Sequence, residues 1–486
     1  MIIAHKEYKL HKSNRKFARS NYSTFQIYMI SNLLPTSFSE NISSKLGPKI
    51  FSSFIESLDA EVPVSIRINQ KKMSKPSELE QIPWCENGFY LSDRPIFTLD
   101  PAFHSGAYYV QEASSMFIGY ILEKIGISNN GLKILDLSAA PGGKSTLIAS
   151  ILNGKGLLVA NEIIKNRAYT LKYNLCKEGY SNVIVTNNDP KDFSQLTSFF
   201  DIILVDAPCS GEGMFRKDPN AIGEWSPENV KNCSLRQQKI IHDVIPALKP
   251  HGYLIYSTCT YNDAENIDNI TKFADQYDLK SVDLDVPDAW QIVKTEKNGC
   301  AGYQFYPHLV KGEGFFAAVL QKDNDAEYKL KLQTSKNLQV LNHKNRPQDI
   351  EAWVDIQNHC LLVDKMGTIH LFPETFADDA KILDNYLRLI YCGTSVGLHN
   401  KNILIPDHSL ALSLDRSSDI KTYEMDLDQA LHFLKKDLSN VENAQKGWNL
   451  ATYKGQGIGW FKNIGDRINN YLPAEYRILM DINKIR

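Results

Sequence analysis

The sequence predicts an α/β protein built on an open, mostly parallel sheet with crossover helices. Three observations point there. Short apolar runs alternate with helical stretches between His104 and about Gln321, the pattern of strands joined by helices. A glycine-rich turn directly follows the first strand-like run of this region. Acids and cysteines close the later runs, at the strand ends where such sheets bind ligands.

Taken in order, residues 1–30 form a basic stretch, with Lys6, Lys9, Lys12, Arg15, Lys16 and Arg19 against Glu7. An RNA-touching arm and a transit peptide are the sharp readings. A disordered tail, or a true start at Met29, is the blander pair and is favoured. Residues 31–105 mix helical segments with the alternating run Val62 to Asn69, VPVSIRIN, and read as an α+β RNA-binding domain. Residues 106–325 carry the sheet, with strand candidates at 133–137, 157–160, 183–186, 202–205, 253–257 and 315–320. Each is a continuous apolar run, as in strands buried on both faces. Residues 326–349 are polar and read as a linker.

Residues 350–486 are rich in short strands and turns. From Gly447 onward six Lys/Arg stand against three Asp/Glu, interleaved with Trp448, Tyr453, Trp460, Phe461, Tyr471 and Tyr476. That mixture suits a surface that tracks a phosphate backbone and stacks bases. The bland alternative packs these aromatics into the core of a small β-domain.

Composition sets limits. At 486 residues, with 43% hydrophobic and 23% charged, the chain is globular and long enough for about two to four domains. No apolar run reaches the roughly eighteen residues of a membrane span, so no membrane partner is expected. The net charge of −2 excludes a uniformly basic coat but not a local basic face. Eight cysteines lie scattered without a CxxC pair, which disfavours a zinc site and a disulfide framework. No metal is expected. With no secretory apolar segment at the start, the chain reads as cytoplasmic.

The segment ILDLSAAPGGKST, Ile134 to Thr146, sets the glycine-rich turn between a strand and a helix. Gly142 and Gly143 let the backbone come close to a ligand, and the helix start offers free N–H groups. A phosphate loop would need GxxxxGK[ST] and a dinucleotide site GxGxxG; neither is present. A methionyl carboxylate fits AAPGGK, with Lys144 as its cation. Glu162 closes the next strand, placed to hold two ribose hydroxyls. Asp189 closes the one after, placed to accept from an adenine amino group. The bland reading of any one such acid is a helix cap; three features in order favour a nucleoside cofactor. Lys144 and Glu162 are expected on surface-facing strand ends.

Two cysteines follow. IILVDAPCSGEG puts Asp206 and Cys209 after the fourth strand, and YLIYSTCTYNDAEN puts Cys259 after the fifth. A lone strand-end cysteine is usually structural. One in Pro-Cys and one in Thr-Cys, both opening on the cofactor's edge of the sheet, is a specific pairing.

AAPGGK, VDAPCSG and YSTCTY in this order resemble the cytosine-5 RNA methyltransferases of the Sun (Fmu) and Nop2 kind. The resemblance runs from about 60 to 325, through HSGAYYVQEASSM, LRQQKII and PHLVKGEGFF. The closing GWNLATYKGQGIGWFKNIGDRINNYLP is most similar to the F-type (RsmF-like) 16S ribosomal RNA enzymes, whose C-terminal part contains a PUA-like RNA-binding domain. The resemblance implies a Rossmann-like S-adenosylmethionine-dependent methyltransferase sheet and ribosomal RNA as partner; a monomer is expected. It implies Cys259 as nucleophile and Cys209 as the group assisting release. The donor would be held by Ser138, Ala139, Ala140, Pro141, Gly142, Gly143, Lys144, Glu162, Asp189 and Asp206.

The chemistry explains the residues. C5 of cytosine is a poor nucleophile until a thiolate adds to C6, and an acid supporting N3, for which Asp206 is placed, stabilises the charge that develops. Two departures stand out. Ser138 replaces a frequent Cys, and Ala264–Glu265–Asn266 replaces Glu-Glu-Asn, removing one acid. The alternatives are a tRNA enzyme and a non-catalytic RNA-binding assembly factor. An amino-methylating enzyme would show Asn-Pro-Pro-Tyr in place of Asp-Ala-Pro-Cys.

Overall fold

The structure, a computed structural model, describes residues 29–126, 131–323, 332–400, 403–438 and 441–482; the expected basic tail falls almost wholly outside them. Two amphipathic helices come first, α1 (Thr36–Leu46) and α2 (Pro48–Leu58), turning at Gly47 with φ 77°. Their buried residues Phe38, Ile42, Phe54 and Leu58 join Phe215, Trp225, Tyr261 and Tyr306 from the next region in one core. The alternating run forms β1 (Val64–Ile68), which pairs with β2 (Gly88–Leu91) and, beyond the short α3 (Pro101–Ser105), with β3 (Tyr108–Val110).

After α4 (Phe117–Lys124) come β4 (Lys133–Asp136), α5 (Gly143–Leu152), β5 (Leu157–Asn161), α6 (Lys165–Glu178), β6 (Val183–Thr186) and β7 (Phe200–Asp206). Next are α7 (Asn220–Glu224), α8 (Pro227–Val244), β8 (Leu248–Thr258) and α9 (Ile267–Tyr277). The antiparallel flank consists of β9 (Leu279–Ser281), β10 (Val293–Lys297), β11 (Cys300–Phe305) and β12 (Phe315–Lys322). All six strand candidates are strands. β4 to β8 run parallel in the order β6-β5-β4-β7-β8, with β12 antiparallel beyond β8. Winding reverses between β4 and β7, where an open α/β sheet forms its crevice.

The C-terminal half begins with β13 (Gln339–Val340), β14 (His359–Val363), β15 (Thr368–Pro373), α10 (Ala377–Tyr386), β16 (Leu389–Cys392), β17 (Thr394–Asn400), β18 (Ile403–Pro406) and α11 (His408–Leu412). This half is not a separate bead on a linker. β16 pairs antiparallel with β6 and extends the central sheet. Cys360, Leu362, Phe372, Ala380 and Leu383 share one buried cluster with Leu135, Val159 and Ile203 of that sheet. Within the expected linker, β13 pairs with β14 and Leu338 is buried. The physical reason is the edge of β6, whose unpaired backbone groups need a partner.

The last unit is β19 (Thr422–Glu424), α12 (Leu427–Lys435), β20 (Gly447–Tyr453), β21 (Gln456–Asn463) and β22 (Ile468–Asn470). Trp460 and Phe461 are core residues here, as the bland alternative had it, while Tyr471 is 40% exposed and the Lys462 ammonium lies 5.5 Å from the Trp448 ring centre. No helix of the described residues is long and apolar enough to cross a membrane.

Candidate active site

β4 ends at Asp136, and the chain turns through Ser138, Ala139, Ala140, Pro141 and Gly142 into α5. Gly142 has φ 120°, and a Cβ there would meet Leu171 at 3.3 Å; the position asks for glycine. The turn is pinned from behind. Asn161 O accepts from the Ala139 N–H at 2.8 Å, Arg167 Nη2 donates to Ala140 O at 2.7 Å, and Asn174 Nδ2 donates to Pro141 O at 2.8 Å. What remains at the crevice edge is the first turn of α5, whose N–H groups have no intrahelical acceptor.

Lys144 is not a lone cation: its Nζ lies 2.7 Å from Asp206 Oδ2. Burial works against its charge, but Asp206, with Asp136 and Cys259 behind it, outweighs burial and raises its pKa. Asp206 is held on its other oxygen by Ser257 Oγ at 2.7 Å. Glu162 is only 2% exposed; its Oε1 accepts from the Ile164 N–H at 2.9 Å, and Arg167 Nη1 lies 3.5 Å from Oε2. Lys144 and Glu162 are therefore not surface-facing, because each is folded back onto a partner of its own crevice wall. Asp189 is half-exposed and caps the turn at 190–195, accepting from the Lys191 N–H at 3.1 Å.

Sequence reasoning missed two features. Asp136 is fully buried, accepts from Ser145 Oγ at 2.6 Å through Oδ2, and has no partner for Oδ1. Burial, opposed by Ser145 and Lys144, pushes its pKa up to about 7. An acid ending the apolar run ILD was the available signal. Beside Glu162, Ile163 and Ile164 are 55% and 51% exposed, an uncovered apolar pair of the kind a flat nucleobase covers. Acceptors, helix-start donors and an apolar face together fit an adenosyl amino-acid cofactor.

β7 and β8 are adjacent and parallel, with Asp206 opposite Ser257. Neighbouring strands lie about 4.8 Å apart, so the loops leaving them begin side by side. Cys209 and Cys259 come together there, Sγ to Sγ at 2.9 Å, and the Cys259 N–H also points at Cys209 Sγ at 3.3 Å. All eight cysteines are free, and only these two are partly exposed rather than buried. The hydrogen bond to Cys259, then burial, pushes the Cys209 thiol well up.

Glu265 is still present and fully buried, accepting from the Ser210 N–H at 3.0 Å and from Gln237 Nε2 at 2.8 Å. Position 264 contributes its carbonyl, to Ser234 Oγ at 2.9 Å.

Residues 126–321 match the family of the 16S rRNA methyltransferase RsmB/F, residues 34–113 the N-terminal domain of 16S rRNA methyltransferase RsmF, and residues 420–478 the methyltransferase RsmF PUA domain. The PUA match covers only the last unit of the C-terminal half. Ribosomal RNA small subunit methyltransferase F of Aeromonas salmonicida (strain A449) is 32% identical over 470 residues, covering 91% of this chain and 97% of that protein. The protein of the same name from Aliivibrio fischeri (strain MJ11) is 30% identical over 476 residues, covering 91% and 97%. Among solved structures, PH0851 superposes with a TM-score of 0.55 at 25% identity, over 65% of this chain and 70% of that one. NSun6 from Pyrococcus horikoshii with SFG superposes at 0.51 and 22%, over 60% and 99%, which speaks for the fold alone. The fold is a Rossmann-like methyltransferase sheet with a PUA-like unit at its C-terminal end.

Proposed function

Since the chain belongs to the family of small-subunit ribosomal RNA methyltransferase F, we propose that it methylates C5 of a cytosine in 16S ribosomal RNA, using S-adenosylmethionine and a covalent Cys259–C6 adduct. One observation carries this reading: two free thiols 2.9 Å apart where adjacent parallel strands open on the crevice. S-adenosylmethionine, when bound, supplies an electrophilic methyl group. The turn 138–144 and the start of α5 would hold its amino-acid end, with Asp206 beside them; Glu162 would hold the ribose and Asp189 the adenine, against Ile163.

The Cys259 thiolate adds to C6, and the electron pair of the C5–C6 bond shifts toward N3, supported by the Lys144–Asp206 pair. C5 then takes the methyl group. After methyl transfer Cys209 gives up its thiol proton to solvent. The Cys209 thiolate removes the C5 proton, the C5–C6 double bond re-forms, and the C6–S bond breaks to return the Cys259 thiolate. One proton is released per turnover. The N-terminal unit and the PUA-like unit would grip the RNA, in the cytoplasm, with the protein acting as a monomer.

Incubation with RNA and donor, followed by denaturing electrophoresis, tests the roles. Cys259→Ala should be inactive and form no adduct, while Cys209→Ala should methylate once and accumulate a protein–RNA adduct. An adduct only in Cys259→Ala would exchange the two roles. Turnover in both variants without adduct would reject covalent catalysis.

A further inference from the structure

We propose that Glu212 and Glu265 form a crossed brace that positions the two thiols, each carboxylate holding the loop that carries the other segment's cysteine. Glu212 follows Cys209 in the same segment, yet its Oε2 accepts from the Tyr261 N–H and from Thr260 Oγ1, both at 2.8 Å, in the loop just after Cys259. Glu265 follows Cys259, yet its Oε2 accepts from the Ser210 N–H at 3.0 Å, directly after Cys209. Asn262 Nδ2 ties the two acids together, 3.1 Å from Glu212 Oε1 and 2.8 Å from Glu265 Oε1. Ser210 Oγ and Thr260 Oγ1 meet at 3.0 Å, and the Gly213 N–H donates to Cys259 O at 2.8 Å. Trp225 Nε1 completes Glu212 at 2.9 Å, and Gln237 Nε2 completes Glu265 while also holding Pro208 O at 3.0 Å. Both acids are buried, at 2% and 0% exposure.

The arrangement does more than satisfy buried charge. Burial raises the Glu265 pKa, and the donors around it oppose that rise; each acid gathers donors from segments far apart in the chain. Every donor is spoken for, so an isosteric amide must set its NH2 against another donor. Loosening Glu265 frees the Pro208–Ser210 stretch and hence Cys209. Loosening Glu212 frees Thr260 and Tyr261 and hence Cys259. The inference rests on the covalent reading above and assigns each acid to one step: Glu212 to the attack on C6, Glu265 to the later removal of the C5 proton.

The test reads adduct and turnover together. Glu265→Gln should behave as a milder Cys209→Ala, with the adduct fraction up about tenfold over wild type, the factor expected from one lost hydrogen bond to a charged group. Glu212→Gln should slow the reaction without accumulating adduct. Melting temperature and donor affinity, by calorimetry, report whether each variant is folded. If either glutamine variant fails to fold, Gln237→Met and Thr260→Val loosen the same two loops more gently and should split in the same way. Matched adduct fractions in both variants, alongside an adduct in the Cys209→Ala control, overturn the brace and leave the covalent reading intact. Absence of adduct in that control rejects the covalent reading, and the brace with it.

Discussion

Two buried polar regions of this molecule solve the same problem with opposite charge. Under the crevice the buried charges are acids, and amide N–H groups from the reactive loops converge on them. At the junction of the three chain regions the buried charges are mostly bases. Lys72 is 7% exposed, and its Nζ donates to Ser105 O at 2.9 Å, Lys177 O at 2.6 Å and Leu412 O at 2.7 Å. Lys177 is 2% exposed, with its Nζ 4.0 Å from the Phe103 ring centre and 4.7 Å from that of Tyr173, which in turn stacks on Tyr476 at 4.1 Å. Burial keeps His104 and His408 neutral there, with pKa values about 4 and about 3. The acids fix where loops point. The lysines, whose partners are carbonyls and rings from distant segments, fix which domains touch. The first arrangement serves chemistry; the second holds the fold together.

If that division is right, the largest stability effect belongs to the junction. Lys72→Met leaves three buried carbonyls without their donor and should cost about 3 kcal/mol in urea unfolding. A single cooperative transition at wild-type stability would break the comparison.

A second effect is pH-dependent. Burial, opposed by Glu178, brings the Lys177 pKa down to about 7 from its ordinary 10.5. Between those values the unfolded chain carries a proton that the folded chain lacks. The residue therefore destabilises most below the folded pKa, and this cost fades as pH rises toward 10.5. Wild type should gain about 1–2 kcal/mol relative to Lys177→Met between about pH 7 and pH 9. A constant difference would mean that the ring faces hold the ammonium charged throughout.

The smallest stability effect should come from the crevice. Lys144→Met removes a partner from a part-exposed Asp206 and should shift stability by less than about 1 kcal/mol, while calorimetry shows weakened donor binding. Unchanged donor affinity would move the methionyl end of the donor away from this lysine.

What the sequence made legible was local. Six strands could be read because each is a short apolar run, and the cofactor turn because its glycines lie between strand and helix. The two cysteines were legible because strand ends in a parallel sheet face one way. What escaped depends on partners far along the chain. Lys72 looks like a surface lysine until carbonyls 33, 105 and 340 residues away close around it. Glu265 read as the survivor of a depleted acid pair, because nothing local shows that its acceptor serves Ser210, 55 residues back. β16 was not singled out among the short strands and turns of 350–486, since periodicity does not name a partner.

That last strand bears on how the protein is made. Leu389 pairs with Thr186, so about 200 residues must be synthesised after β6 before its edge can be covered. At elongation rates of about 5–20 residues per second, the nascent sheet waits on the order of 10–40 s with one flank bare. An exposed strand edge is a template for pairing with other chains, so the newborn chain is most prone to aggregate in this interval. Codon usage between positions 186 and 389, and chaperone occupancy while that stretch emerges, should therefore affect yield.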